Sequence, residues 1–232
     1  AIDARVYDRD EHDFYVEPSW CIDALLEAEP FPGKVWDPAC GYGTIVKAAR
    51  AFGYQAHGTD FIDRGFALVG QNFLRYDRKI VTGVGSIITN PPFKHGPAFM
   101  SQALRFADKA AILVPLKFLS SNTRFSMFMD KWPVSTVHVL SSRPSMPPGH
   151  FINPDTGLFA CDDPEPKVLA NGTLKPRWRK GDKPGGGAID FCWIVATHGH
   201  TGQAHINWLM KRGGGFASVL HDGAQIRARA SA

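Results

Sequence analysis

Short apolar runs alternate with segments of helical period along most of this chain, and that alternation limits the folds open to it. Residues 34–37 (Lys-Val-Trp-Asp) read as a buried strand, a Gly-rich turn follows, and a helix is expected over 44–52, ended by Gly53. Residues 55–60 form the next strand, Arg75 falls in a short third strand or turn, and 84–89 is a strand running straight into Asn90-Pro91-Pro92. Pro97 opens a helix to about residue 107, because proline suits a first turn. A strand over 110–115, a helix over 122–130 and a strand over 134–140 continue the series. Upstream, Trp20, Ile22, Leu25 and Leu26 have helical spacing between Pro18-Ser19 and Pro30. Strands separated by helices need crossover connections, so a parallel, doubly wound α/β sheet is expected.

The pattern breaks over 141–187, where prolines, glycines and charges dominate; a loop this long is usually functional or disordered. Order returns as a strand over 188–197, a weaker segment spans 204–210, and a basic, flexible tail is expected over 211–232. At 232 residues with 44% hydrophobic and 21% charged content, one soluble domain over 1–232 is expected, with 141–187 as a long loop insertion. No apolar run is long enough for a bilayer, and the charged residues 1–13 do not read as a secretory signal, so no membrane partner is expected. Four dispersed cysteines without a C-x-x-C pair suit a reducing cytoplasm and argue against a disulfide framework. His198, His200 and His205 lack an acid or cysteine at metal-ligand spacing, so no metal is expected. The formal charge of +4 is compatible with a polyanionic partner without establishing one.

Two short segments carry chemistry. The turn Asp37-Pro38-Ala39-Cys40-Gly41-Tyr42-Gly43 precedes a helix, where free N–H groups and small residues allow a ligand to approach closely. Asp60 closes the next strand, where an acid can accept the hydroxyls of a ribose. Val46 stands where a dinucleotide fingerprint needs its third glycine, and no P-loop occurs. The second segment is Asn90-Pro91-Pro92-Phe93, at the carboxyl end of a strand beside the expected switch point of the sheet.

The first segment resembles the D-P-x-C-G-x-G cofactor motif, and the second the N-P-P-F catalytic motif, of S-adenosylmethionine-dependent amino-methyltransferases. Their order is similar to that of small, phage- and prophage-type N6-adenine DNA methyltransferases, whose last strands residues 190–195 also resemble. The resemblance implies a Rossmann-like class I methyltransferase fold, mostly parallel and seven-stranded, with a late antiparallel strand. It implies S-adenosyl-L-methionine as cofactor, with Asp37, Pro38, Cys40, Gly41 and Gly43 at its methionine part and Asp60 with Phe61 at its ribose. Asn72 and Phe73 would frame its adenine, with Asp77 as the alternative, since the family has aspartate where Asn72 stands. Tyr15 to Pro18 resembles a Y-x-T-P segment that reaches the cofactor's carboxylate, with Glu17 replacing threonine. Two carboxylates repel, so Tyr15 or the backbone is expected to make that contact and Glu17 to turn away.

An exocyclic amine is a poor nucleophile because its lone pair is delocalised into the ring. Two hydrogen-bond acceptors, the Asn90 side-chain oxygen and the Pro91 carbonyl, held by a rigid Pro-Pro turn, would leave that lone pair better directed. Phe93 would offer a stacking face. Lys94 follows the motif and would touch phosphate or base. Arg143, Lys175, Arg177, Trp178, Arg179 and Lys180 combine charge with an aromatic ring, as nucleic-acid contacts do. The preferred expectation is adenine-N6 methylation in DNA. Methylation of an RNA base at adenine N6 or guanine N2, of protein glutamine, or a non-catalytic nucleic-acid-binding relic are the alternatives.

Overall fold

The structure, a computed structural model, describes residues 13–77 and 83–211. Helix α1 (Trp20–Ala28) comes first, then β1 (Lys34–Asp37), α2 (Thr44–Ala51) and β2 (Ala56–Gly58). Strand β3 (Val84–Thr89), α3 (Gly96–Phe106), β4 (Lys109–Pro115), α4 (Asn122–Ser126) and β5 (Val134–Leu140) follow. A two-residue pair, β6 (Lys167–Val168) and β7 (Leu174–Lys175), stands apart from the main sheet, which is completed by β8 (Phe191–Thr197) and β9 (His205–Leu209).

The main sheet has seven strands in the order β2-β1-β3-β4-β8-β5-β9. Neighbours are parallel except β8, which lies antiparallel between β4 and β5 in the register Lys109↔Thr197 to Pro115↔Phe191 and beyond to β5. Because strand side chains alternate between faces, consecutive residues divide between two cores. Val35, Ile88, Ala111, Leu113, Trp193 and Val195 pack with α1 and α2 on one face. Trp36, Ile87, Ala110, Ile112, Val114 and Ile194 pack with α3 on the other. Both faces are covered, which is why these strands read as continuous apolar runs. This is a Rossmann-like, doubly wound α/β architecture with one antiparallel strand.

Two elements sharpen the expectation. The segment around Arg75, expected as a short strand or turn, is a 3-10 turn, Phe73–Arg75, whose Asn72 side chain accepts from the Leu74 N–H at 3.2 Å. The seventh strand is instead β9, parallel to β5 at the sheet's outer edge. Its weak signal has a physical cause: within β9 only Leu209 is buried, so the segment lacks the apolar run of the inner strands. Strand β8 begins at Phe191, later than expected, because Asp190 is engaged by its carbonyl to the Leu116 N–H and by its carboxylate to Arg143.

Residues 141–187 fold back rather than hang free. Ile152, Phe159 and Trp178 form a small core of their own, packed on Val16 and Tyr42. The entry to this excursion pairs with the segment before α1: Tyr15 bridges Pro148, Val16 N–H donates to the Pro147 carbonyl, and Gly149 N–H donates to that of Phe14. Of the expected basic tail only Lys211 falls within the described residues. Among the described residues no helix is long and apolar enough to cross a membrane.

Candidate active site

The Gly-rich turn is tied to the end of β2 before any ligand is considered. Cys40 N–H donates to the Thr59 carbonyl, Thr59 N–H to that of Asp37, and the Trp36 indole N–H to the Thr59 hydroxyl. Gly41 and Gly43 both have positive φ, 52° and 79°. A Cβ on Gly41 would lie 2.5 Å from the Phe14 ring, and one on Gly43 2.2 Å from Phe66, so conformation and space both demand glycine. Helix α2 then starts at Thr44 without a side-chain cap.

Asp60 receives the Gly41 N–H at 2.8 Å on one carboxylate oxygen and the Ile62 N–H at 3.0 Å on the other. Each oxygen retains a second lone pair. Asp60 thus closes the turn and still faces the cavity it borders. Asp37 does not reach that cavity. It is buried beneath the turn, where it accepts from Ala39 N–H at 3.1 Å and lies close to the Thr89 side chain. Burial pushes the Asp37 carboxyl well above the usual carboxylate range, and the neighbouring Glu17 and Asp60 carboxylates add to this against Thr89 and the Ala39 hydrogen bond. Burial likewise pushes the Cys40 thiol up, with Asp37 and Asp60 contributing.

A cavity of about 420 Å³ opens above this turn, within the range of small-molecule sites. One wall is formed by Pro38, Cys40, Gly41, Asp60, Phe61 and Ile62, and another by Asn72, Phe73 and Leu74. A third carries Tyr15, Glu17, Thr44, Asn90, Pro92 and Lys94. Parts of the chain far apart in sequence therefore converge on one volume, including most of the residues singled out beforehand. Asn72 lies on the wall and exposed Asp77 does not. The Phe73 ring is committed to the core against Trp36, Phe99 and Phe106. Pro18 and Gly43 stand behind the cavity surface; exposed Phe61 stands on it.

Glu17 overturns its expectation. It is 8% exposed, turned inward, and its Oε2 accepts from the Asn90 side-chain nitrogen at 2.8 Å. The Tyr15 carbonyl accepts from the same nitrogen at 3.0 Å. Burial raises the Glu17 carboxyl to about 7, opposed by hydrogen bonds from Asn90 and its own backbone and by Thr44. Only the nitrogen end of an amide can serve two acceptors. The Asn90 oxygen is therefore the remaining end, shielded from solvent and without a donor among the described residues. An unsatisfied buried acceptor costs roughly 1–3 kcal/mol, which a ligand N–H would relieve.

Phe93 is not on the cavity surface. Its ring lies parallel to Tyr15, centroids 5.8 Å apart and planes within 6°, and it tilts against Phe191. The expected stacking face is occupied by the protein's own aromatic ring. Pro91 is buried.

The nucleic-acid candidates divide. Trp178 is 4% exposed and stacked on Phe159 at 4.7 Å, so it is a core residue of the excursion rather than a free platform. The Arg177 guanidinium grips the buried Asp163 carboxylate at 2.7 and 2.8 Å, and these hydrogen bonds from Arg177 hold Asp163 at about 2. Arg143 pairs with Asp190 at 2.8 Å. Lys175, Arg179 and Lys180 are exposed, although Asp182 and Asp162 receive the backbone N–H groups of the latter two. Lys94 alone of this set borders the cavity. Sequence reasoning also missed Arg64, a cavity-lining cation whose guanidinium sits 3.6 Å from the Phe14 ring centre and whose Nε has no hydrogen-bond partner among the described residues. Its only prior signal was its place in the loop after Asp60.

No protein-family model and no curated protein matches the chain. Among solved structures, protein 1320 of Thermoplasma acidophilum superposes with a TM-score of 0.45 at 12% identity, over 78% of this chain and 84% of that one. A TehB-like SAM-dependent methyltransferase from Corynebacterium glutamicum gives 0.41 at 14% identity, over 77% and 86%. The M protein of the type I restriction enzyme EcoKI gives 0.43 at 16% identity, over 85% of this chain and 44% of that longer one. All three fall below a TM-score of 0.5, so the functional reading rests on the cavity's own residues.

Proposed function

We propose that this chain transfers a methyl group from S-adenosyl-L-methionine to an exocyclic amino nitrogen, with adenine N6 in DNA as the preferred target. The observation that carries the reading is the Asn90 side-chain oxygen, a buried acceptor with no donor among the described residues, on a residue that lines the cavity built on the Gly-rich turn. The residues present suit the cofactor. Asp60 offers two spare lone pairs for ribose hydroxyls, and Gly41 and Cys40 allow close approach at the turn. Asn72 and Ile62 flank the place for a flat base, and Arg64 supplies a cation for a carboxylate. When bound, the cofactor supplies a methyl group made electrophilic by a positive sulfonium.

The protein's part is to receive and orient the amine. The Asn90 oxygen accepts one amine proton, and the Pro91 carbonyl, at the start of the rigid Pro-Pro turn, is the second acceptor. Acceptors on both N–H bonds favour a pyramidal nitrogen with its lone pair directed out of the ring plane. This is positioning and electrostatic alignment. Tyr15, stacked on Phe93, is the aromatic residue that lines the cavity with Asn90. A DNA target would have to leave the base stack to reach the cavity. Exposed Lys94 at its rim and Lys175, Arg179 and Lys180 on the excursion support a phosphate-bearing substrate.

The test is incubation with labelled cofactor and separate DNA, RNA and protein substrates, followed by mass analysis of the product. Label on adenine N6 of DNA is expected. Asn90→Ala should lower transfer by roughly 10²–10³-fold, the usual loss for one group aligned with developing charge, with cofactor affinity changed by only a few-fold. Full activity in that variant would refute the mechanism; label on RNA or protein alone would replace the substrate.

A further inference from the structure

We infer that Glu17 is the positioning residue that sets the hydrogen-bond polarity of the Asn90 amide, so that the cavity selects a target presenting an N–H over one presenting a carbonyl oxygen or ring nitrogen. The inference rests on the function proposed above and names a determinant of its specificity.

An asparagine amide is nearly symmetrical in shape, and half a turn about its last bond exchanges its oxygen and nitrogen. On a cavity wall that exchange converts an acceptor into a donor. It would reverse which functional group the site prefers, because an amine needs acceptors and a keto oxygen needs donors. One backbone acceptor, the Tyr15 carbonyl, biases the amide toward the observed orientation. When ionised, above the value of about 7 to which burial raises it, the Glu17 carboxylate makes the opposite orientation costly, since a turned amide would set its oxygen against a buried carboxylate oxygen with no solvent between them. A carboxylate is acceptor-only, and its hydrogen bonds are stronger than those of a neutral group.

The position of Glu17 is itself over-determined. Tyr15 and Val16 are held by antiparallel pairing to Pro147 and Pro148, and Thr44, the first residue of α2, lines the same cavity as Glu17. Threonine at this position, as in the segment that 15–18 resembles, offers a hydroxyl that can donate as well as accept. An ionised glutamate removes that ambiguity.

The test is a complementary exchange. Asn90→Asp alone sets two carboxylates against each other and should reduce methyl transfer by roughly 100-fold or more. Glu17→Gln alone leaves a neutral acceptor and should cost about tenfold or less. In the double variant the introduced glutamine's amide nitrogen can donate to one oxygen of the introduced aspartate and leave the other as the open acceptor, so about tenfold or more of the loss should return. Melting temperature should follow the same order, lowest in Asn90→Asp and recovered in the double variant. A third arm measures discrimination: inhibition by oligonucleotides carrying adenine against matched ones carrying hypoxanthine, in which a keto oxygen replaces the amine. Wild type should favour adenine by about tenfold or more, and Glu17→Met should lose most of that preference.

A double variant no better than Asn90→Asp in either activity or melting, or an unchanged adenine preference in Glu17→Met, would overturn the inference. If wild type transfers no methyl group to any amine, the functional reading fails on that arm alone. The melting series still decides whether Glu17 and Asn90 act as a pair.

Discussion

Replacing Trp178 by alanine separates the two roles open to the excursion over 141–187. In the structure Trp178 is 4% exposed, stacked on Phe159 within 14°, tilted on Phe151 at 5.3 Å and covered by the Arg177 guanidinium at 4.9 Å. A buried tryptophan removes about 150–250 Å² from water, worth roughly 4–6 kcal/mol at ~25 cal/mol per Å². Measured truncations of this kind cost about 3–5 kcal/mol. The local core contains only Ile152 and Phe159 besides, so what remains cannot hold the excursion closed. The main sheet does not use Trp178 and should keep its own stability. Local opening is therefore expected rather than global unfolding. Limited proteolysis should cut within 141–187, and hydrogen exchange should lose protection there while β3, β4 and β8 stay protected. Because Val16 and Tyr42 pack on this core and also line the cavity, cofactor affinity should fall as well. If instead the excursion stays as protected as in wild type and only nucleic-acid affinity drops, by about 1–3 kcal/mol for one lost stacked base, the burial argument is wrong and Trp178 is a stacking platform.

Two further predictions concern carboxylates. Asp60→Ala removes the acceptor of both Gly41 and Ile62 N–H groups, so it should destabilise the turn by about 2–3 kcal/mol and weaken cofactor binding in calorimetry. Asp60→Asn, with one acceptor left, should fall between; unchanged affinity in the alanine variant would remove Asp60 from the site. Glu29 is held at about 2: burial works against this, and hydrogen bonds from His138 and Lys109 outweigh it. Its folded value lies below the ordinary 4.5. Its contribution, roughly 3 kcal/mol, is therefore complete above about pH 4.5 and is lost as pH falls toward about 2. Urea unfolding of wild type and Glu29→Gln should differ most at neutral pH and converge in acid; a gap independent of pH would refute the assignment.

Local chemistry made a good part of the molecule legible. The apolar runs of β1, β3, β4 and β5 and the Asp37–Gly43 turn declare themselves within a few residues, because strand and turn preferences are properties of neighbours along the chain. The Asn-Pro-Pro turn at the end of β3 belongs to the same class. So does the convergence of Asp60, Asn72 and Asn90, since a doubly wound sheet gathers the carboxyl ends of its strands at one edge.

Other features depend on partners distant in sequence. Glu17 turns toward Asn90, and not away, because burial leaves the asparagine nitrogen needing acceptors, and the pairing of Tyr15 with Pro148 carries Glu17 there. Arg177 and Trp178, which look like a basic and aromatic surface in isolation, are taken up by Asp163 and Phe159 once the excursion folds on itself. The edge strand is settled in the same way: of the strand or turn open to the Arg75 segment, Asn72 caps a 3-10 turn, and β9 finds the free edge of β5. Short-range pattern along the chain was enough to specify the sheet, the Gly-rich turn and the Asn-Pro-Pro-Phe segment. Which end of the Asn90 amide remains open could come from the fold alone, because it depends on a carboxylate seventy-three residues away that folding brings within hydrogen-bond distance.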